Sequence, residues 1–157
     1  MTITNATFTI ERVLQASPAR VFAAYTSIEA KSAWFRAPAD IETLNRDLDF
    51  RVGGKERFHA RWPGGLVTDF QATYHDIVEN ERIILVYDLF HDAEKLSVSL
   101  QTLEFRREGD RTRLLHTEQG SYLVGGAEAV LGREHGTTWH VDNLVAVIEG
   151  REPRAFS

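Results

Sequence analysis

The chain has 157 residues, close to the length of one ordinary domain, and 18 Lys and Arg against 23 Asp and Glu give it a formal net charge of −5. This acidic balance argues against a protein that binds the phosphate backbone of nucleic acids. The absence of cysteine excludes a disulfide framework, a thiolate zinc site and a thiol nucleophile. With 43% hydrophobic and 26% charged residues, the composition is that of a soluble globular domain.

The sequence shows no targeting or membrane signal. The first ten residues lack a basic segment followed by an apolar one, and no stretch approaches the ~18 consecutive apolar residues of a membrane span. We therefore predict a cytoplasmic protein without membrane insertion, built as a single domain over residues 1–157.

The first forty residues predict one strand and two short helices. Thr7–Ala16 is rich in β-branched and aromatic residues that alternate between two faces, which indicates a strand. Ser17-Pro18 is typical of a helix N-cap followed by the first helical residue, and this helix is expected to end near residue 27. Ile28–Phe35 predicts a second short helix, because the proline at position 38 disfavours its continuation.

From residue 41 to residue 122 the sequence alternates with a period of two between short turn signals, which predicts an antiparallel meander. The paired glycines between these strands indicate bulges or positive φ angles rather than phosphate loops, because none of them opens a helix after a strand. The six predicted strands are Ile41–Arg51, Lys55–Trp62, Leu66–Val78, Arg82–His91, Lys95–Arg107 and Arg111–Tyr122.

The strand pattern stops at Gly125-Gly126, and a long terminal helix follows. Glu134–Gly150 places Val141 and Leu144 at helical spacing on one apolar face. Residues 151–157 contain a proline and are expected to fray, so the core spans about residues 7–150. The order β-α-α-β6-α predicts an α+β fold in which a curved antiparallel sheet of about seven strands wraps around the terminal helix. Such a bent sheet leaves a cavity between itself and the helix.

Several short segments resemble those of a known family. Together with the order of elements, they are similar to the helix-grip fold of the START and plant pathogenesis-allergen proteins, in the SRPBCC superfamily. Within it the chain resembles the bacterial branch grouped with homologues of the activator of the heat-shock chaperone ATPase. Because the segments are turn, bulge and core signatures, they specify a fold better than a reaction. They are Ser17-Pro-Ala-Arg-Val-Phe22, Phe50-Arg-Val-Gly-Gly54, Tyr74-His-Asp-Ile-Val78, Glu81-Arg-Ile-Ile84, Thr112-Arg-Leu114, Thr117-Glu-Gln-Gly120 and the helix around Trp139.

Aromatic side chains on the predicted inward faces are candidates for lining the cavity. Phe58 and Trp62 share one face of a strand, with His59 on the solvated face, although a shift of one residue would exchange these roles. Tyr87 combines an apolar ring with one polar group. The alternative for Tyr87 is a core tyrosine whose hydroxyl binds the backbone. Trp34, near the second helix, is a further candidate.

His116 and Glu118 share a face of the last predicted strand. The resemblance implies that this stretch borders the cavity, where the two side chains would act as general base and orienting acid or would hydrogen-bond a ligand. The alternative is a partly exposed ion pair near the edge of the sheet.

The terminal helix adds two further candidates. We expect Trp139 to pack inward, His140 to face solvent, and Asn143 to add a polar contact at the mouth of the cavity. His135 and His140 are about 140° apart on a helix and do not form a ligand pair. We therefore predict neither a metal nor a cofactor.

The leading hypothesis is a protein that binds a small hydrophobic or amphipathic molecule, lipid-like or polyketide-like, in this cavity. One alternative is a cofactor-free cyclase, dehydratase or hydrolase that uses histidine, glutamate or tyrosine side chains there. Another alternative, implied by the family name, is a module that associates with a chaperone. Neither nucleic acid nor membrane is expected as a partner, and an exposed strand edge would allow a homodimer.

Overall fold

The computed structural model describes residues 2–156, which form one seven-stranded antiparallel sheet and three helices. The predicted helix-grip architecture is confirmed. The elements are β1 (Thr4–Leu14), α1 (Pro18–Ala23), α2 (Ile28–Ser32), β2 (Glu42–Leu48), β3 (Lys55–Arg61), β4 (Val67–Val78), β5 (Arg82–His91), β6 (Glu94–Glu108), β7 (Arg111–Tyr122) and α3 (Gly126–Ile148).

The sheet is a meander closed at one end by the first strand. Its order is β1-β7-β6-β5-β4-β3-β2, so β1 pairs with the last strand, where Ile10 lies opposite His116. Helix α3 packs on β1 and β7. No helix within residues 2–156 combines the length and apolar character that a membrane crossing needs.

The two short helices each begin at a serine cap. The Ser17 side chain accepts a hydrogen bond from the Arg20 backbone N–H at 3.3 Å, and the Ser27 side chain accepts one from the Ala30 N–H at 3.1 Å. Helix α1 ends at Ala23, before the predicted position, and the chain is extended by Ser27, where the cap of α2 begins.

Helix α3 begins at Gly126, well before the predicted start near residue 134. Gly132 and Gly136 lower the helix propensity of its first half and interrupt the apolar pattern. The apolar stripe recognised in the sequence covers only the second half, where Val141 and Leu144 are buried.

The hydrophobic core lies at the end of the sheet that α1 covers. The Phe22 and Phe105 rings meet edge to face with centroids 5.4 Å apart, and the Tyr25 and Trp34 rings do so at 4.8 Å. The second half of α3 packs on this core. Its first half faces a cavity instead, so the fold separates a packed end from an open one.

Candidate functional site

A cavity of about 620 Å³ lies between the concave face of the sheet and the first half of α3. This volume is within the usual range of small-molecule sites, about 300–1,000 Å³. Most of the wall is aromatic or aliphatic. The apolar side chains that line it include Trp34, Phe35, Phe58, Trp62, Phe70, Leu89, Trp139 and Val141.

Seven of the eight side chains predicted from the sequence border this cavity: Trp34, Phe58, Trp62, Tyr87, His116, Glu118 and Trp139. In β3 the aromatic side chains face the cavity. Phe58 lies opposite Phe70 of β4, and both line the cavity wall. His59 faces away from the cavity and lies opposite Asp69.

All three tryptophans of the chain line the cavity. Their indole N–H groups are satisfied by other protein atoms: Trp34 donates to the Ala24 carbonyl at 3.0 Å and Trp62 to the Thr68 hydroxyl at 2.9 Å. Trp139 donates to the backbone carbonyl of residue 154 at 3.0 Å. Since the polar edges are used, the rings contribute apolar surface to the wall.

Asn143 does not border this cavity. It is 1% exposed and lines a second cavity of about 410 Å³ between α3 and the segment 151–156. The difference arises because this segment folds back over that side of the helix, where the Phe156 ring packs against Trp139 with centroids 5.4 Å apart. Trp139 borders both cavities.

The prediction that His140 faces solvent is wrong. Its ring lines the main cavity, with its centroid 5.0 Å from that of Phe35. Burial lowers the pKa of His140 to about 4, despite a hydrogen bond with the Trp34 backbone that acts in the opposite direction. The imidazole is therefore neutral at pH 7.

A group of five polar side chains, which we call the Glu118 cluster, gathers at one side of the cavity. Glu118 is 1% exposed and accepts hydrogen bonds from Tyr87 at 2.9 Å, Gln101 at 2.8 Å and the Nε2 of His116 at 3.0 Å. Burial alone would raise the pKa of Glu118, but these donors, led by His116, outweigh it and lower the pKa. Glu118 is therefore ionised, and Arg133 completes the cluster.

Because the ionised Glu118 only accepts, the Nε2 atom of His116 carries the proton of their hydrogen bond. The Nδ1 atom of His116 is buried and has no hydrogen-bond partner among residues 2–156. A carboxylate that orients one nitrogen and leaves the other available is the arrangement expected of a general base.

Arg133 connects α3 to this cluster. Its Nη1 donates to the Tyr87 hydroxyl at 3.1 Å, while its Nη2 donates to the Ser97 hydroxyl at 2.8 Å. Burial acts to lower the pKa of Arg133, but Tyr87 and Glu118 outweigh it, so the pKa is raised and the charge is permanent. The Tyr87 hydroxyl thus accepts from a cation and donates to an anion.

A second group, which we call the Lys31 cluster, lies where α2 meets β3 and β4. Lys31 and Glu56 are 4% and 2% exposed, and the Lys31 Nζ lies 2.7 Å from a Glu56 carboxylate oxygen. The Tyr74 hydroxyl donates to the same oxygen at 2.5 Å. Burial and then Glu56 raise the pKa of Tyr74. Lys31 also borders the main cavity.

Residues 15–149 match the family described as Activator of Hsp90 ATPase homolog 1-like protein. The chain belongs to this family. Membership confirms the resemblance that the short segments indicated, and the family has a fold that supports ligand binding in general. No curated protein matches the chain.

Solved structures of several bacterial proteins share the fold of this family member. An uncharacterised protein from Rhizobium leguminosarum is 39% identical, with a TM-score of 0.88 over 96% of this chain and 98% of that one. The Mll3558 protein from Rhizobium loti is 35% identical, with a TM-score of 0.81 over 93% and 99% of the two chains. The CV1439 protein from Chromobacterium violaceum, at 24% identity and a TM-score of 0.69 over 91% and 96%, shares the fold.

Several polar residues of the cavity wall were not predicted from the sequence, and Lys31, Arg133 and His140 are among them. Family membership does not reveal them either, since its segments are fold signatures. A signal was present for two of them. Arg133 and His140 lie eleven and four residues before Leu144, about 20° and 40° from it around a helix, so helical spacing puts both close to the apolar face. Lys31 gave no such signal, because its partner Glu56 comes from a distant strand.

Proposed function

We propose that this family member binds a small molecule with a largely apolar body in the cavity between the sheet and α3. The observation that carries the proposal is a cavity of about 620 Å³ whose walls are mostly aromatic and aliphatic. A few convergent polar groups, here the Glu118 cluster, are typical of sites that orient a ligand. Lipid-like and polyketide-like molecules have this character.

The walls also suggest how affinity would arise. Burial of apolar surface contributes about 25 cal/mol per Å² removed from water. The Phe35 ring meets the rings of Phe58 and Phe70 edge to face, at centroid distances of 5.8 and 5.1 Å. Flat or flexible apolar bodies would pack against these rings, and dispersion contacts would add to the burial.

Tryptophan fluorescence offers a direct test, because every tryptophan of the chain lines the cavity. The protein would be titrated with fatty acids, fatty alcohols and aromatic polyketide-like compounds, with the melting temperature measured in parallel. We expect a saturable change in emission and a rise in Tm with the same ligands, since a ligand that binds the folded state stabilises it. A panel that changes neither quantity would overturn the proposal.

Two matched variants of α3 localise the binding. Ala129 lines the cavity, whereas Ala127 is exposed and does not border it. Ala129→Leu should weaken binding of every active ligand, because the larger side chain occupies ligand volume. Ala127→Leu should leave the affinities unchanged. Equal effects of the two substitutions would place the ligand elsewhere.

A second candidate function is proton transfer to or from the bound molecule, and the His116–Glu118 pair favours it. Glu118 orients Nε2 and leaves Nδ1 without a partner among residues 2–156. Molecules extracted from purified protein, before and after incubation with an active ligand, would be identified by mass spectrometry. Conversion by the wild type and not by His116→Gln supports catalysis. Recovery of unchanged ligand from both proteins would leave binding alone.

A further inference from the structure

The guanidinium of Arg133 enters the cavity with only neutral contacts. It donates to the hydroxyls of Ser97 at 2.8 Å, Tyr87 at 3.1 Å and Ser99 at 3.5 Å. Its carbon lies 5.6 Å from the ring centroid of Tyr87 and 5.3 Å from that of Tyr122. No carboxylate among residues 2–156 forms a hydrogen bond or ion pair with it. Such a contact set is unusual for a half-buried arginine, because a charge withdrawn from water is normally paired with an opposite one.

Glu118 is the negative charge of this network, and its carboxylate already accepts three hydrogen bonds. Glu118 reaches Arg133 only through the Tyr87 hydroxyl, and it accepts two further hydrogen bonds from Gln101 and His116. An arginine carries five N–H donors, and the three hydrogen bonds of Arg133 use only its two terminal nitrogens. The guanidinium therefore retains both charge and donors for a further partner.

Open space adjoins this cation. Gly132 and Gly136 flank Arg133 on α3 and line the same cavity, and a Cβ atom added at either glycine would meet nothing within 4 Å. His91 also borders the cavity, and its pKa is lowered by burial and then by the charge of Arg133. A group entering this end of the cavity thus meets one fixed positive charge rather than two.

We propose that the ligand carries a carboxylate head group that binds Arg133, while its apolar body lies along the aromatic wall. This proposal rests on the proposed function of the cavity and adds the chemical class of the polar end. The planar fork of a guanidinium matches a carboxylate, and hydrogen bonds between such ions are stronger than neutral ones. A single charge at this end of the cavity suits a monoanion. Of the other cations of the wall, Lys31 is already paired with Glu56, and the Arg36 guanidinium carbon lies over the Trp139 ring, 5.3 Å from its centroid.

Decanoate and decan-1-ol are the probes, because they share an alkyl chain and differ in the charge of the head group. Affinities for the wild type, Arg133→Gln and Arg133→Lys would be measured by tryptophan fluorescence and by calorimetry. The control is Arg111→Gln, which removes an exposed arginine that does not border the cavity. Circular dichroism would verify that each variant folds.

We expect the wild type to bind decanoate about 10- to 100-fold more tightly than decan-1-ol, as a charged hydrogen bond provides. Arg133→Gln should abolish this preference and retain decan-1-ol binding, Arg133→Lys should keep part of it, and Arg111→Gln should keep all of it. Equal wild-type affinities for the two probes, or a preference that survives Arg133→Gln, would overturn the carboxylate assignment and leave the cavity function intact. Failure of both probes to bind, together with failure of the wider panel, would overturn the cavity function itself.

Discussion

Two buried ionic groups border the same cavity, and they are built differently. In the Lys31 cluster a lysine and a carboxylate are in direct contact at 2.7 Å, and Tyr74 donates to the same oxygen. In the Glu118 cluster the cation and the anion are separated by the hydroxyl of Tyr87, which contacts both. In the first cluster the two opposite charges are paired directly, whereas in the second the guanidinium has only neutral hydrogen-bond partners.

From this difference we infer a structural role for the Lys31 cluster and, under the proposed function, a ligand-binding role for Arg133. Direct pairing of Lys31 with Glu56 joins α2 to the sheet, and each charge needs the other to remain buried. Arg133 is instead held by hydroxyl groups, which orient a guanidinium without neutralising it. Proximity to a cavity is therefore a weaker guide to function than the state of a group's charge, because both clusters border this one.

Removal of Glu56 should have the largest effect on stability. In Glu56→Gln the ammonium of Lys31 stays buried without its counter-ion, and loss of one partner of such a pair costs about 3–5 kcal/mol. We expect the free energy of unfolding, measured with urea at pH 7, to fall by this amount. The preference for decanoate over decan-1-ol should persist, because the Glu118 cluster is unaffected.

The control for this substitution is Glu42→Gln, which breaks the exposed pair between Glu42 and Arg61. Exposed pairs contribute between about 0 and 1 kcal/mol, so this variant should unfold almost as the wild type does. Similar losses of unfolding free energy in the two variants would contradict a structural role for the Lys31–Glu56 pair. A selective loss of decanoate affinity in Glu56→Gln would contradict it as well.

Most of the sheet was predictable from sequence because its signal is local. Alternation and the turn signals between strands predicted β5 as Arg82–His91 and β7 as Arg111–Tyr122, with the same bounds as in the structure. The same periodicity placed His116 and Glu118 on one face, and that face is buried.

The polar half of the site was not predictable in the same way. The charges of Lys31 and Arg133 favour solvent on average, and their burial depends on partners from distant strands, such as Glu56 and Ser97. In the first half of α3, Gly132 and Gly136 interrupt the apolar pattern, so the sequence did not predict a helix there. The orientation of Asn143 depended on the fold of segment 151–156, which has no periodic pattern.

The next effect concerns His140, which lies between the two clusters. Burial is the main cause of its pKa of about 4, and His116 and Lys31 lower the pKa further. In the unfolded chain a histidine titrates near 6.5, so between pH 6.5 and pH 4 the unfolded state binds a proton that the folded state does not. Stability is therefore lost as the pH falls through this window. The contribution of His140 between pH 7 and pH 5 is about 2 kcal/mol.

Urea unfolding of the wild type and of His140→Gln at pH 7 and pH 5 would measure this contribution. The variant should lose about 2 kcal/mol less than the wild type on acidification, since it removes the group whose protonation favours unfolding. His91→Gln is a useful comparison, because the pKa of His91 is also lowered but its side chain is less completely buried. An unchanged pH dependence in His140→Gln would contradict a neutral, buried imidazole between the clusters.

The smallest effect tests the open space beside Arg133. Gly136 is helical and a Cβ atom there would meet nothing within 4 Å, so Gly136→Ala should stabilise the protein by about 0.5–1 kcal/mol through the higher helix propensity of alanine. Gly120→Ala is the contrasting variant, because its Cβ would lie 2.9 Å from the Tyr122 ring and should destabilise the fold. A gain at position 136 would mean that the glycine costs stability and keeps a gap next to a cation. A loss of stability in Gly136→Ala would mean that the space beside Arg133 is filled. The two clusters would then differ only in how their charges are paired.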